Sequence, residues 1–206
     1  NFYQTATLNN AGTFEVQTNQ GILSSGGVNL IANSGTFQKS AGTGVTTISV
    51  VVNNSGAVAV TAGTLSFNGG GTHTGSFTAT SPATMQFNGG SHASSAGSHG
   101  GTGTFAFAGG TVVLSGTATY NPAATRVTNG TAALNINGST ASLDQSGGYL
   151  GGSGTFTITG SALWSGGTWG EPTNTGGTTI INPGVTVNLT GSTTYSYLGY
   201  GRTLTS

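Results

Sequence analysis

The chain of 206 residues carries 39 glycines, three Lys+Arg, three Asp+Glu and no cysteine, and its formal net charge is +0. Charged residues make up 3%, where an ordinary soluble domain has about 25%. Three cations cannot build a phosphate-binding surface, which excludes nucleic acid as a partner, and 34% hydrophobic residues at zero net charge do not describe a disordered chain.

No run of apolar residues is long enough to span a bilayer as a helix. The absent cysteines remove disulfides and thiolate metal sites. Asn1-Phe2-Tyr3-Gln4 lacks the basic start and apolar core of a signal peptide, so such a segment is expected to have been removed or to lie outside this chain.

In chain order, the elements are short words that alternate apolar with small polar residues, the period of a strand with one buried face. Gly-Thr-Phe begins at Gly12, Gly35, Gly103 and Gly154, with Gly-Ser-Phe at Gly75. Ile22 to Gly27 is read as an early copy of a second word, Leu-x-Phe-x-Gly-Gly, which stands clearest in mid-chain. There Leu65 to Gly70, Met85 to Gly90 and Phe105 to Gly110 align without gaps, at intervals of 85 − 65 = 20 and 105 − 85 = 20. Looser copies are read at Leu134 to Gly138, Leu143 to Gly148 and Leu163 to Gly167. Val58-Ala59-Val60, Thr155 to Thr159 and Val185 to Leu189 are further strands, and Pro82, Pro122 and Pro183 precede strand-like runs. No segment has helical spacing.

A fixed interval decides the architecture, because hairpins of a sandwich have no reason to repeat one word at constant spacing. The expected fold is all-β, a right-handed parallel β-helix (β-solenoid) of about 20 residues per coil. Residues 1–206 then form a single repeat domain of roughly ten coils, itself a segment of a longer rod or a filament subunit. Leu65, Phe67, Met85, Phe87, Phe105 and Phe107 are its expected core ladder. The stack also accounts for the missing charge. Equivalent side chains lie about 4.8 Å apart, so a repeated charge becomes a repelling column, at about 1 kcal/mol per pair even in water.

The word Gly-Thr-Leu-x-Phe-x-Gly-Gly at Gly63 to Gly70 resembles the strand repeats of bacterial autotransporter passengers and related large surface adhesins. The resemblance implies a secreted, cell-surface β-helix that serves as stalk, adhesin or filament. No translocating barrel or distinctive secretion module accompanies the words.

The inventory for chemistry is short. Polysaccharide-cleaving β-helices need clustered carboxylates, and Glu15, Asp144 and Glu171 are expected in separate coils. The chain is therefore read as no enzyme, with no cofactor and no metal. His73 and His92, separated by 92 − 73 = 19 positions or nearly one coil, are read as equivalent corner residues with His99 nearby. Thr72-His73-Thr74, Thr78-Ala79-Thr80 and Thr117-Ala118-Thr119 resemble ice-binding words, but they do not recur at the interval of the coil. The aromatic candidates are Trp164, Trp169, Tyr195, Tyr197 and Tyr200. If exposed they would stack on sugars or dock a partner; if buried they would fill or cap the last coils.

The expectation is an extracellular structural fibre, filament or adhesin stalk whose coils stack end to end on other copies of itself, with surface glycans as a further partner. An ice- or carbohydrate-binding module is the alternative, and a polysaccharide lyase or hydrolase the third reading.

Overall fold

The computed structural model describes residues 1–173, 175–191 and 195–206. Among them the regular elements are all strands, paired in parallel. One coil runs through Thr64–Phe67 on a first face, Gly71–His73 on a second and Ser76–Ala79 on a third. The next coil begins with Thr84 paired to Thr64. The long strands Thr84–Ser94 and Ser98–Leu114 bend around corners from face to face. On the second face ten strands stack from Thr7–Asn10 to Ser196–Leu198. Their nine steps give a rod of about 43 Å at about 4.8 Å per step.

The core is a set of columns running along the rod. On the first face Thr46, Leu65, Met85, Phe105, Thr125 and Leu143 form one column, and Ile48, Phe67, Phe87, Phe107, Val127 and Gln145 the next. Phe87 stacks on Phe67 at 5.9 Å and on Phe107 at 6.0 Å between ring centroids. The six ladder residues expected from the sequence are all buried. Four of the five Gly-Thr-Phe and Gly-Ser-Phe words lie on the third face, where Phe14, Phe37 and Phe77 point inward, whereas Gly103 to Phe105 belongs to the first face.

The Gly-Gly corners are dictated by the tight stacking. Gly90 sits at φ +70, and a Cβ there would lie 2.4 Å from the backbone nitrogen of Gly70 in the coil below. Gly110 stands in the same relation to the carbonyl oxygen of Gly90, at 2.2 Å. Only glycine meets both conditions.

Of the looser copies, Leu143 to Gly148 holds the first-face register, with Leu143 in the column of Leu65, and the others need correction. Leu134 pairs with Leu114 on the second face, and Thr125-Arg126-Val127 holds the first-face position. Leu163 pairs with Asp144 and faces outward, so the inward residue is Trp164, above Gln145. Ile22 bridges Ile48, the position of Phe67 rather than of Leu65. A slip of one residue reverses which side of a strand faces the core, and such a shift occurs between Thr140 and Ser142. Ser66 points away from the ladder yet is itself buried, its hydroxyl 3.3 Å from Asn68 Oδ1.

Candidate functional site

Apart from Tyr3 in the first coil, the exposed aromatics gather on the second face of the last coils. Tyr149, Thr168 and Tyr197 form one outward column, and the turn Gly199 to Gly201 folds Tyr200 beside it. The Tyr149 and Tyr200 rings lie 6.1 Å apart at 59°. With Leu198 and Gly199 these residues line a cleft of about 380 Å³ that contains no charged side chain. Tyr195, the most exposed tyrosine named in the sequence, lies 5.8 Å from Tyr197 but outside the cleft lining. Tyr149, absent from the sequence-based set, completes it.

Trp164 and Trp169 do not present rings to solvent, so of the two alternatives open in the sequence they take the one in which they fill the last coils. They stack face to face at 4.2 Å and 4° inside the last coils. Both are inward residues, above Gln145 and Leu150 respectively, so burial of their large apolar area prevails. Trp169 thus lies directly behind Thr168, on the inner side of the strand that forms the cleft wall.

The turn bearing Tyr200 is held from within by Arg202. This buried guanidinium donates to Thr179 Oγ1 at 2.7 Å, to the Gly152 carbonyl at 3.0 Å and to the Thr178 carbonyl at 3.1 Å, and burial lowers its pKa to about 10. The Arg202 backbone N–H donates to the Gly199 carbonyl, and the Tyr200 carbonyl accepts from Gly176 N–H. Tyr200 adopts φ +54, a conformation an L side chain rarely takes.

A second constellation lies in the core of the first five coils. Asn10, Asn33 and Asn54 stack in one inward column. Asn10 Nδ2 donates to Asn33 Oδ1 and Asn33 Nδ2 to Asn54 Oδ1, each at 2.7 Å. The column continues through His73 and Ser94. Beside it His73 Nε2 meets His92 Nδ1 at 3.1 Å, and Ser94 Oγ meets His99 Nε2 at 3.0 Å.

The histidines are therefore core residues, not corner residues, and they are not equivalent: the second-face register pairs His73 with Ser94 and His92 with Gly71. Burial pushes His73 down to about 3, and His92 and His99 to about 4. Among the described residues no group of three or more His, Cys, Asp or Glu side chains is placed to hold a metal.

The carboxylates do not converge. Glu15 is exposed, and the Ser40 hydroxyl holds its pKa below the usual range. Asp144 faces Arg126 at 3.6 Å on the outer surface. Glu171 is buried, with Oε2 accepting from the Thr173 N–H and hydroxyl. Of the six formally charged side chains, Lys39, Glu171 and Arg202 are buried. Lys39 donates to the Thr18 and Ala41 carbonyls at 2.8 Å, satisfying its ammonium at a corner.

At the end of the rod the apolar interior is open. Leu189, Leu198 and Leu204 extend the columns of Trp164, Trp169 and Thr179. They are 68%, 48% and 39% exposed. In the first coil Phe2, Leu8 and Phe14 pack only partly against the core.

Comparison with protein-family models, curated proteins and solved structures finds no match to this chain.

Proposed function

We propose that this chain is a length of extracellular structural rod, part of a cell-surface fibre, filament or adhesin stalk, whose end coils are covered by further coils. The open cross-section carries this reading: three leucines that belong to core columns stand exposed on the last coil, above strands whose far edges are unpaired among the described residues. Exposed apolar area and open strand edges are what soluble solenoids hide with caps. Another coil would bury the leucines and extend the main-chain ladders. Zero net charge opposes such stacking little. The covering coil belongs either to the same polypeptide or to a second copy. No reaction is assigned, because Glu15, Asp144 and Glu171 lie in separate settings with separate partners.

Sedimentation and electron microscopy of the purified chain test the second-copy form. Concentration-dependent association into rods, abolished by Leu198→Lys, is the expected result. A monodisperse species at every concentration, without fibres, would overturn it. Antibody labelling of intact producing cells tests the surface location.

Ice binding has one supporting observation. Thr155, Thr178 and Thr203 form an outward column on the third face, with Thr157, Ile180 and Thr205 beside it. Thr72, Thr78 and Thr119, from the Thr-x-Thr words of the sequence, are split between the second and third faces. Thermal hysteresis lost in Thr178→Tyr would support this second reading, and no hysteresis in the native chain would remove it.

A further inference from the structure

We propose that the cleft of Tyr149, Thr168, Tyr197 and Tyr200 binds a neutral sugar ring of a glycan chain. A pyranose presents an apolar C–H face and a rim of hydroxyls, and the cleft offers the complement to both. Tyr149 and Tyr200 stand at 59°, so one ring can lie under the sugar face while the other meets its edge. The phenol hydroxyls and Thr168 Oγ supply groups that both donate and accept.

The volume of about 380 Å³ falls within the range of small-ligand sites. The ligand is neutral because no cation faces the cleft. Arg202, the nearest in sequence, is buried and already donates to three oxygens.

The cleft is built rather than incidental. Tyr200 is kept at φ +54 by a turn tied down through the Arg202 backbone and guanidinium, and strain of this kind collects at ligand clamps. The Trp164–Trp169 stack lies behind the wall that carries Thr168. The site shares Leu198 with the open end of the rod, but its tyrosines are not part of the core columns that end there. Tyr149, Thr168 and Tyr197 face sideways from three successive coils, so a coil added above Leu198 leaves the sides of Tyr149 and Thr168 exposed. The proposal therefore stands independently of the fibre reading.

The test titrates the whole chain with tetrasaccharides of the cello-, manno-, galacto- and chito- series, and with oligogalacturonate as the anionic probe, by calorimetry and saturation-transfer NMR. At least one neutral tetrasaccharide is expected to bind. Tyr197→Ala and Tyr200→Gly should each weaken it about tenfold or more, equivalent to about 1.4 kcal/mol. Tyr200→Gly removes the ring while relieving the positive φ, so it stays informative if Tyr197→Ala impairs folding. Tyr3→Ala, in the first coil, should change nothing.

Absence of binding at about 10 mM, binding indifferent to the tyrosine variants, or preference for oligogalacturonate would each overturn the proposal. So would variants that alter self-association while leaving sugar binding unchanged, since the cleft would then be an interface between copies.

Discussion

His73 Nε2 and His92 Nδ1 lie 3.1 Å apart in the core, and the partners around them fix the direction of that hydrogen bond. His92 Nε2 faces the Gly89 carbonyl at 3.1 Å, which can only accept, so the ring proton sits on Nε2 and Nδ1 is the acceptor. His73 therefore donates through Nε2, and its Nδ1 is a buried lone pair without a partner. His99 Nδ1 faces the Thr119 carbonyl, so its Nε2 accepts from Ser94. Every assignment requires a neutral ring.

The rod should accordingly lose stability in mild acid. An unfolded histidine takes up a proton below about pH 6.5, whereas the folded chain resists until about 4 for His92 and His99 and about 3 for His73. The stabilisation is fully present above about pH 6.5 and is lost as pH falls from there towards the folded values. By about pH 4 each site has given up roughly 3 kcal/mol. Phe67, Phe77 and Phe87 surround the cluster, and among the described residues no carboxylate faces it, so only backbone carbonyls, Gly89 at His92 and Thr119 and Gly97 at His99, partly offset the burial of an imidazolium. Denaturant melts at pH 7, 5 and 4 should show the decline. The triple variant His73→Asn, His92→Val, His99→Tyr installs the residues of adjacent coils, Asn54, Val112 and Tyr120, and should flatten it. Equal stability of the native chain at pH 7 and 4 would refute the assignment.

The asparagine column makes a separate prediction. Asn33 Nδ2 donates to Asn54 Oδ1 at 2.7 Å and to the Ala57 carbonyl at 3.0 Å, while its Oδ1 accepts from Asn10. Asn33→Leu keeps the volume but leaves the facing polar groups on both neighbouring coils without that partner. Unmade buried hydrogen bonds cost roughly 1–3 kcal/mol each, so a loss of about 2–4 kcal/mol in urea unfolding is expected. A loss below about 0.5 kcal/mol would mean that water or neighbouring groups replace the amide.

Much of the fold was legible because the middle coils keep one interval: Leu65, Met85 and Phe105 recur at equal spacing and pair directly. The asparagine column escaped because its steps are unequal, 33 − 10 = 23 and then 54 − 33 = 21, and because an asparagine before Gly reads as a turn. A signal was present. Asn-x-Gly-Thr-Phe occurs at Asn10 and Asn33, placing the amide two residues before the glycine of a known word. Tyr149 was hidden for the opposite reason. It follows Gly147-Gly148 and precedes Leu150, so nothing local distinguishes an outward ring from a core one. Trp164 and Tyr197 look alike in composition, and only the register, inward above Gln145 or outward above Thr168, separates them.

Gly90 offers a test of the corner geometry. In Gly90→Ala the methyl meets the Gly69–Gly70 backbone, with 2.4 Å to the nitrogen, at a φ of +70 that alanine disfavours. Backbone strain of this kind costs about 1–3 kcal/mol before any clash. Gly12→Ala provides the contrast, since nothing lies within 4 Å of its added Cβ. The first variant should melt several degrees lower and the second close to the native chain. Equal melting points would refute the corner account.

The scarcity of charge can be tested directly on the outer surface of the first face. Thr64, Thr84 and Thr104 stack in successive coils as one column. Among the described residues the only charges paired at equivalent positions of neighbouring coils are Arg126 and Asp144, and they have opposite signs. Two triple variants separate charge from every other property of the substitution: Thr64→Lys, Thr84→Lys, Thr104→Lys makes a column of like charges, while Thr64→Lys, Thr84→Glu, Thr104→Lys alternates them. Lysine and glutamate are both long, flexible and weak strand formers, so the difference reports the column. Like charges opposite one another destabilise parallel neighbours, and at about 5 Å the repulsion is about 1 kcal/mol per pair in water and more near the protein surface. The all-lysine variant should be less stable by about 1–3 kcal/mol at low salt, and the gap should close near about 1 M salt, where the screening length falls to about 3 Å. Equal stability at low salt would remove electrostatic repulsion as the reason for a 3% charged composition. The neutrality would then have to come from the hydroxyl columns themselves.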